Sequence, residues 1–217
     1  SFSVYHKTHG APMRREKGDV LPGIDAYATD GGPSDCAALA GLGFFDFPID
    51  LVLSGINPTS NLGLDTTYSG TVTSALEATV WGLRGIAFSI NAGRKKQSEI
   101  DFSAAKKIIV EVINEFMKRE LPPYSILNVN IPNLPYEAIK GYKVTREGTR
   151  TYKDELIRNV DPFGRPYYWF GGDPPISGME EGSDSGELAK GFVSVTPLTL
   201  DLTAHHLIDP VSNWNWR

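Results

Sequence analysis

The sequence predicts an α/β protein: a mostly parallel sheet covered by helices, followed by a C-terminal extension of different character. Three observations carry that reading. Apolar runs of strand length alternate with stripes of helical period between Ile24 and Ile131. One run, Ile49-Asp50-Leu51-Val52-Leu53, is almost continuously apolar, the pattern of a strand buried on both faces. Beyond Lys143 glycine, proline and aromatic residues take over, as in hairpins rather than strand–helix units.

Taken in order, Ser1 to His6 reads as a strand entered without preamble. Ile24 to Thr29 alternates small or apolar groups with polar ones and predicts a further strand. Asp30-Gly31-Gly32 breaks it, and Pro33 suits the first turn of a helix running through Leu39. After the Ile49–Leu53 strand, a polar loop from Ser54 to Tyr68 leads into a second helix. There Val72, Ala75, Leu76, Thr79 and Val80 recur at three and four residues. Gly85 to Ile90 is the next strand. Ala105, Ile109, Val112, Ile113 and Phe116 then form one helical stripe between Ser103 and Arg119, which Pro122-Pro123 stops. Leu127, Val129 and Ile131 alternate with Asn128 and Asn130 in another strand. Ile176 to Lys190 reads as a polar, acidic loop, and Phe192 to Thr196 as the last clear strand, before a tail ending Trp214-Asn215-Trp216-Arg217. The whole is expected to be a single domain, with an α/β body over 1–142 and hairpins and an arm over 143–217.

Composition removes several classes. At 217 residues and 41% hydrophobic, the chain is long enough to bury a real core. With 21 Lys and Arg against 26 Asp and Glu, it lacks the basic stripe that duplex nucleic acid or an anionic membrane demands. No apolar run approaches the roughly 20 residues that span a bilayer. A single cysteine rules out a disulfide framework and suits a reducing, cytoplasmic compartment. Gly-x-Ser-x-Gly, Walker A, Gly-x-Gly-x-x-Gly and His-Glu-x-x-His patterns are all absent, as is paired-cysteine zinc spacing.

In open α/β sheets ligands bind beyond the carboxyl ends of the strands, so the loop from Ser54 to Asp65 is the first place to look. Asn57 sits at a strand exit. Its amide oxygen is a hard, neutral ligand suited to magnesium, manganese or calcium, with carboxylates needed from elsewhere. Equally, Asn57 and Asn61 could simply bond the loop backbone. Further on, Ser69 can cap the next helix, and Gly70 removes a side chain from the path of a ligand. The free N–H groups there, with the Ser69 and Thr71 hydroxyls, make an anion site. An ordinary N-cap accounts for the serine equally well.

Weaker candidates remain. Asp35 could be functional or a dipole-complementing carboxylate, and Cys36 reads as a small buried residue. Arg146 and Arg150 could grip a phosphate or be structural. Asp201 and His205 could form a metal pair or a hydrogen bond that pins the arm.

Read together, Ser54-Gly55-Ile56-Asn57, Asn61-Leu62-Gly63, Asp65 and Tyr68-Ser69-Gly70-Thr71-Val72 closely resemble the signature of the SurE family of 5′-nucleotidases. Gly31-Gly32-Pro33-Ser34-Asp35-Cys36 is similar to a second family turn, with Gly32 in place of threonine. Leu127 to Pro132, Thr145 to Arg150, Asp161 to Gly164, Glu181 to Asp184, Gly191 to Leu198 and Asp201 to His205 also resemble family segments, in the family's order.

The resemblance implies a three-layer α/β/α, Rossmann-like fold with C-terminal β-hairpins and an extended oligomerisation arm. It implies a phosphomonoesterase acting on nucleoside 5′-monophosphates, with one divalent cation per subunit, Mg2+ or Mn2+. Asn57 falls on the metal-ligand position, and Asn61, Ser69, Gly70 and Thr71 fall on positions lining the phosphate pocket. Dimers or tetramers joined by the C-terminal arm are expected, Trp214 and Trp216 docking on a neighbouring subunit. The family's paired aspartates do not occur in these 217 residues. They are expected upstream of Ser1, in a strand–helix–strand unit of about 30 residues or more. Without them the alternative is a non-catalytic nucleotide- or phosphate-binding module.

Overall fold

The computed structural model describes residues 15–21, 23–93 and 97–216, so the strand read at Ser1 to His6 lies outside the described residues. The chain first forms strands β1 (Arg15–Leu21) and β2 (Ile24–Thr29), then helix α1 (Pro33–Gly41) and strand β3 (Val52–Asn57). Helix α2 (Gly70–Val80), strand β4 (Gly85–Asn91), helix α3 (Ser103–Phe116) and strand β5 (Ser125–Pro132) complete the alternating part. There follow β6 (Tyr142–Val144), a long pair β7 (Arg150–Val160) and β8 (Pro166–Ser177), helix α4 (Asp184–Ala189), β9 (Val193–Thr199) and a short helix α5 (Ile208–Ser212).

Five strands make the central sheet in the order β3-β4-β5-β9-β6. The first three are mutually parallel, β9 runs antiparallel to β5, and β6 runs parallel to β9. Because side chains alternate along a strand, β4 and β5 serve two different layers. Ile86, Phe88, Ile90, Val129 and Ile131 turn to one face and pack on Ala105, Ile108, Val112 and Phe116 of α3. On the opposite face Ala87 and Ile126 meet Val72 and Ala75 of α2, with α1 packed on α2. The result is three layers. The α2 face is apolar only at the amino ends of the strands; towards the carboxyl ends its inward positions are Ser89, Asn128 and Asn130, all fully buried.

Several elements differ from the sequence reading. Ile24–Thr29 is a strand, but it pairs antiparallel with β1 in a separate ribbon, from Arg15 opposite Thr29 to Leu21 opposite Ile24. The charged run of β1 shows no alternation and so gave no strand signal. The apolar run before residue 54 is not the most enclosed strand. Among the described strands β3 pairs only with β4, and Leu53 is exposed, whereas six successive residues of β4 are buried. An apolar run by itself cannot separate an edge from a centre.

The segment read as an acidic loop contains α4, capped by the Ser183 Oγ, which accepts the Gly186 N–H at 3.0 Å. Six residues are too few for a helical period to be visible. Beyond residue 142, β6 and β9 join the central sheet while β7 and β8 form the expected hairpin. No helix among the described residues is long and apolar enough to cross a membrane.

Phe88 is among the largest fully enclosed side chains, at the centre of the α3 layer. Phe88→Ala should cost about 3–5 kcal/mol in urea unfolding, and a loss below about 1 kcal/mol would show that this layer does not carry the core.

Candidate active site

The site begins with a register. Asn57 stands opposite Ser89 on β4, Ser89 opposite Asn130 on β5, and Asn130 opposite Ser194 on β9. Residues directly opposite project from the same face, so four polar side chains cross the sheet as one rung near the carboxyl ends of its parallel strands. Asn57 reaches the rung through a bulge: the chain takes three steps from Ser54 to Asn57 against two from Ala87 to Ser89. Such an extra residue re-aims the side chain after it. Only glycine fits within the bulge. Gly55 has φ +119°, and a Cβ there would stand 2.3 Å from the Phe88 carbonyl oxygen.

Asn57 is half-buried and its Nδ2 donates to the Thr59 carbonyl at 2.6 Å and to Thr59 Oγ1 at 3.0 Å. Both bonds orient the amide and leave Oδ1 as its acceptor. A single hard, neutral oxygen fits a magnesium or manganese ion as one ligand of a set. Among the described residues no three His, Cys, Asp or Glu side chains converge on a common point.

Asn61 is anchored to the sheet rather than to its own loop. Its N–H donates to Asn130 Oδ1 at 2.9 Å, and its carbonyl accepts from Asn130 Nδ2 at 2.9 Å and Asn128 Nδ2 at 3.0 Å. Its own Nδ2 donates to Ser89 Oγ at 2.6 Å. One Nδ2 hydrogen and Oδ1 remain for a ligand.

Two residues on, the Gly63 N–H donates to Asp184 Oδ2 at 2.7 Å. Asp184 is fully buried, and its Oδ1 also accepts the N–H groups of Gly148 at 2.9 Å and Ser185 at 2.7 Å. Thr66 Oγ1 donates to Glu147 Oε1 at 2.6 Å. These ties press residues 61–66 against α4 and the segment before β7.

The loop ends at the start of α2. Ser69 caps it, its Oγ accepting the Val72 N–H at 3.2 Å and keeping its own hydrogen free to donate. The first-turn N–H groups of Gly70 and Thr71 face outward from the helix start, the positive end of its dipole. The other helix starts bring a carboxylate from their own chain. Asp35 Oδ2 takes the Gly32 N–H at 2.7 Å before α1, Asp101 Oδ1 takes the Ser103 N–H at 2.8 Å at α3, and Asp184 and Glu187 lie in the first turn of α4. The first turn of α2 holds no acidic residue. It is therefore the helix start electrostatically suited to an anion from outside. The turn at Asp30 to Cys36 lies beside it, since Ser74 Oγ donates to the Pro33 carbonyl at 3.0 Å and Ser34 Oγ to Thr73 Oγ1 at 3.4 Å.

The weaker candidates resolve as structural or fall away. Asp35 is occupied with its cap. Cys36 is exposed, not buried, with Thr29 Oγ1 at 3.5 Å. Arg146 is exposed and donates to the Glu147 carbonyl at 3.2 Å, while the Arg150 side chain lies outside the described residues. Asp201 and His205 form an exposed pair at 2.6 Å, four residues apart within the arm itself. The Thr203 hydroxyl and N–H, then His205, pull the Asp201 carboxyl down to about 2. Ser89, Asn128, Asn130 and Asp184 escaped notice as site residues. Two asparagines at inward positions of a buried strand were the available signal.

A three-layer α/β body, with a polar loop at the carboxyl ends of its parallel strands feeding an acid-free helix start, defines a phosphate- or nucleotide-handling protein of the α/β class. The family model described as "Survival protein SurE" matches residues 2–154. A protein named 5′-nucleotidase SurE from Chloroflexus aggregans is 43% identical over 206 residues, covering 95% of this chain and 81% of that relative. Another of that name, from Aquifex aeolicus, is 42% identical over 206 residues, covering 94% and 79%. The crystal structure of the SurE protein from Aquifex aeolicus superposes with a TM-score of 0.78 at 39% identity, over 97% of this chain and 83% of that one. The chain belongs to the SurE family.

Two outcomes test this geometry. Gly63 has φ +51°, and a Cβ there would lie 2.2 Å from the Gly148 carbonyl oxygen. Gly63→Ala should cost on the order of 3 kcal/mol in urea unfolding, and an unchanged midpoint would contradict the packing of the two loops. A folded carboxyl that titrates below its ordinary 3.8 contributes fully above that pH and loses its contribution as pH falls through about 2. A 13C titration of Asp201 should show that low midpoint, and one near 3.8 would mean that the bonds from Thr203 and His205 do not form.

Proposed function

We propose that the protein hydrolyses nucleoside 5′-monophosphates to nucleoside and phosphate, with one divalent cation per subunit, Mg2+ or Mn2+. The observation that carries this reading is the acid-free start of α2 at the end of the Asn57 loop. Relatives 42–43% identical are named 5′-nucleotidases, which supports the same activity.

The Gly70 and Thr71 N–H groups and the Ser69 and Thr71 hydroxyls hold the phosphate. The remaining Asn61 Nδ2 hydrogen adds a donor. Because these donors are fixed before substrate arrives, they stabilise charge building on the equatorial oxygens without reorganising. Asn57 Oδ1 supplies a neutral ligand to the cation, whose shell carboxylates from outside the described residues complete. When bound, the cation neutralises phosphoryl charge and makes a nucleophile available near neutral pH.

Residues 1–217 act as one unit, and the unit self-associates as a dimer or tetramer through its C-terminal arm. Trp214 and Trp216 stack with centroids 5.7 Å apart and remain 63% and 68% exposed, an apolar surface costly to leave in water. The lone cysteine suits the cytoplasm.

Phosphate release from nucleoside 5′-monophosphates, assayed with Mn2+ or Mg2+, tests the activity. Asn57→Ala should lower turnover by on the order of 100-fold, and wild-type turnover in that variant would remove Asn57 from the metal shell. Truncation after Pro210 should reduce the mass seen by light scattering; an unchanged mass would count against the arm.

A further inference from the structure

We propose that Ser89, Asn128 and Asn130 are positioning residues for phosphate binding, acting through Asn61. The proposal rests on the reading of Asn61, Ser69, Gly70 and Thr71 as the phosphate pocket. None of the three can touch substrate, because each is fully buried. Their hydrogen bonds converge on one residue of the loop.

The Asn130 carboxamide takes both backbone polar groups of Asn61, accepting its N–H and donating to its carbonyl, each at 2.9 Å. A side chain thereby does for one residue what a neighbouring strand would do, and holds Asn61 at a fixed height above the sheet. Asn128 Nδ2 occupies the second lone pair of the same carbonyl at 3.0 Å. That orientation leaves Asn128 Oδ1 buried without a hydrogen-bond partner. Turning the amide over would set its oxygen against the Asn61 carbonyl, so the donation to Asn61 dictates the rotamer at the expense of the amide's own acceptor.

Ser89 Oγ then fixes the side chain, taking one Asn61 Nδ2 hydrogen at 2.6 Å and aiming the other. Backbone and side chain of Asn61 are both determined from beneath. A group that only filled space would be satisfied by apolar packing, as its neighbours Ala87 and Ile126 are on the same face.

The test uses the Mn2+-loaded enzyme and inorganic phosphate as the probe, with affinity read by calorimetry and Tm by scanning. Steady-state kcat and KM on a nucleoside 5′-monophosphate accompany it. Ser89→Ala removes one small hydroxyl and should weaken phosphate binding roughly tenfold, with KM rising in step and Tm moving by only a few degrees. Asn61→Ala should weaken it at least as much. Since Ser89 acts only through Asn61, the double variant should bind phosphate no more weakly than Asn61→Ala alone.

Asn130→Asp, which keeps the acceptor and loses the donor, should behave like Ser89→Ala. If it fails to fold, the Ser89 and Asn61 pair still decides the matter. Unchanged phosphate affinity in Ser89→Ala, or additive losses in the double variant, would overturn the proposal. If Thr71→Val weakens phosphate binding but Asn61→Ala does not, the pocket stands and the positioning role falls. If neither weakens it, the pocket reading itself fails, and this proposal with it.

Discussion

Buried amides at the carboxyl ends of β4 and β5 constrain everything around them. Asn128 and Asn130 are wholly enclosed, and an amide left unpaired in such a place costs about 2–7 kcal/mol depending on the reference. The strands cannot satisfy them, because their backbone groups are already committed to the sheet. Asn61 lays its peptide groups across both side chains, pairing both ends of the Asn130 amide and the Nδ2 of Asn128 and leaving only Asn128 Oδ1 unmet. Once Asn61 lies flat, Gly63 comes within reach of Asp184 and Thr66 within reach of Glu147. The chain then arrives at Ser69 in the extended conformation an N-cap needs. A polar interior thus produces a rigid loop where loops are ordinarily mobile.

The same logic governs charge. Asp184 is a fully buried carboxylate whose partners are N–H groups rather than a cation. Charge-assisted bonds of this kind are the strong ones, and they staple the Asn61–Thr66 loop to α4. Carboxylates also occupy the starts of α1 and α3, which leaves α2 to present free N–H groups. In the proposed reading, a phosphate arriving there would meet donors already aligned, and its binding would demand little reordering of the protein.

Much of this was legible in the residues. The periodicities of Val72 to Val80 and of Ala105 to Phe116 located α2 and α3, and the alternation through Leu127 to Ile131 located β5. The Ser54-Gly55-Ile56-Asn57 and Tyr68-Ser69-Gly70-Thr71 segments mark both ends of the candidate site loop. What escaped was long-range. The antiparallel pairing of β2 with β1, the edge position of β3 and the enclosure of Asp184 depend on which elements meet, which local pattern does not encode. Asn128 and Asn130 were visible as polar interruptions of a buried strand. Their common target, 67 and 69 residues earlier in the chain, was not.

The account turns on the start of α2 being the phosphate seat, held in place by the loop beneath it. The most direct check is a titration of the 15N-labelled protein with inorganic phosphate, following amide shifts. The Gly70 and Thr71 amides should move furthest and with a common affinity, with Asn61 following. Shifts that instead centred on Ser103 to Ala105 at the start of α3, with Gly70 and Thr71 unmoved, would contradict it.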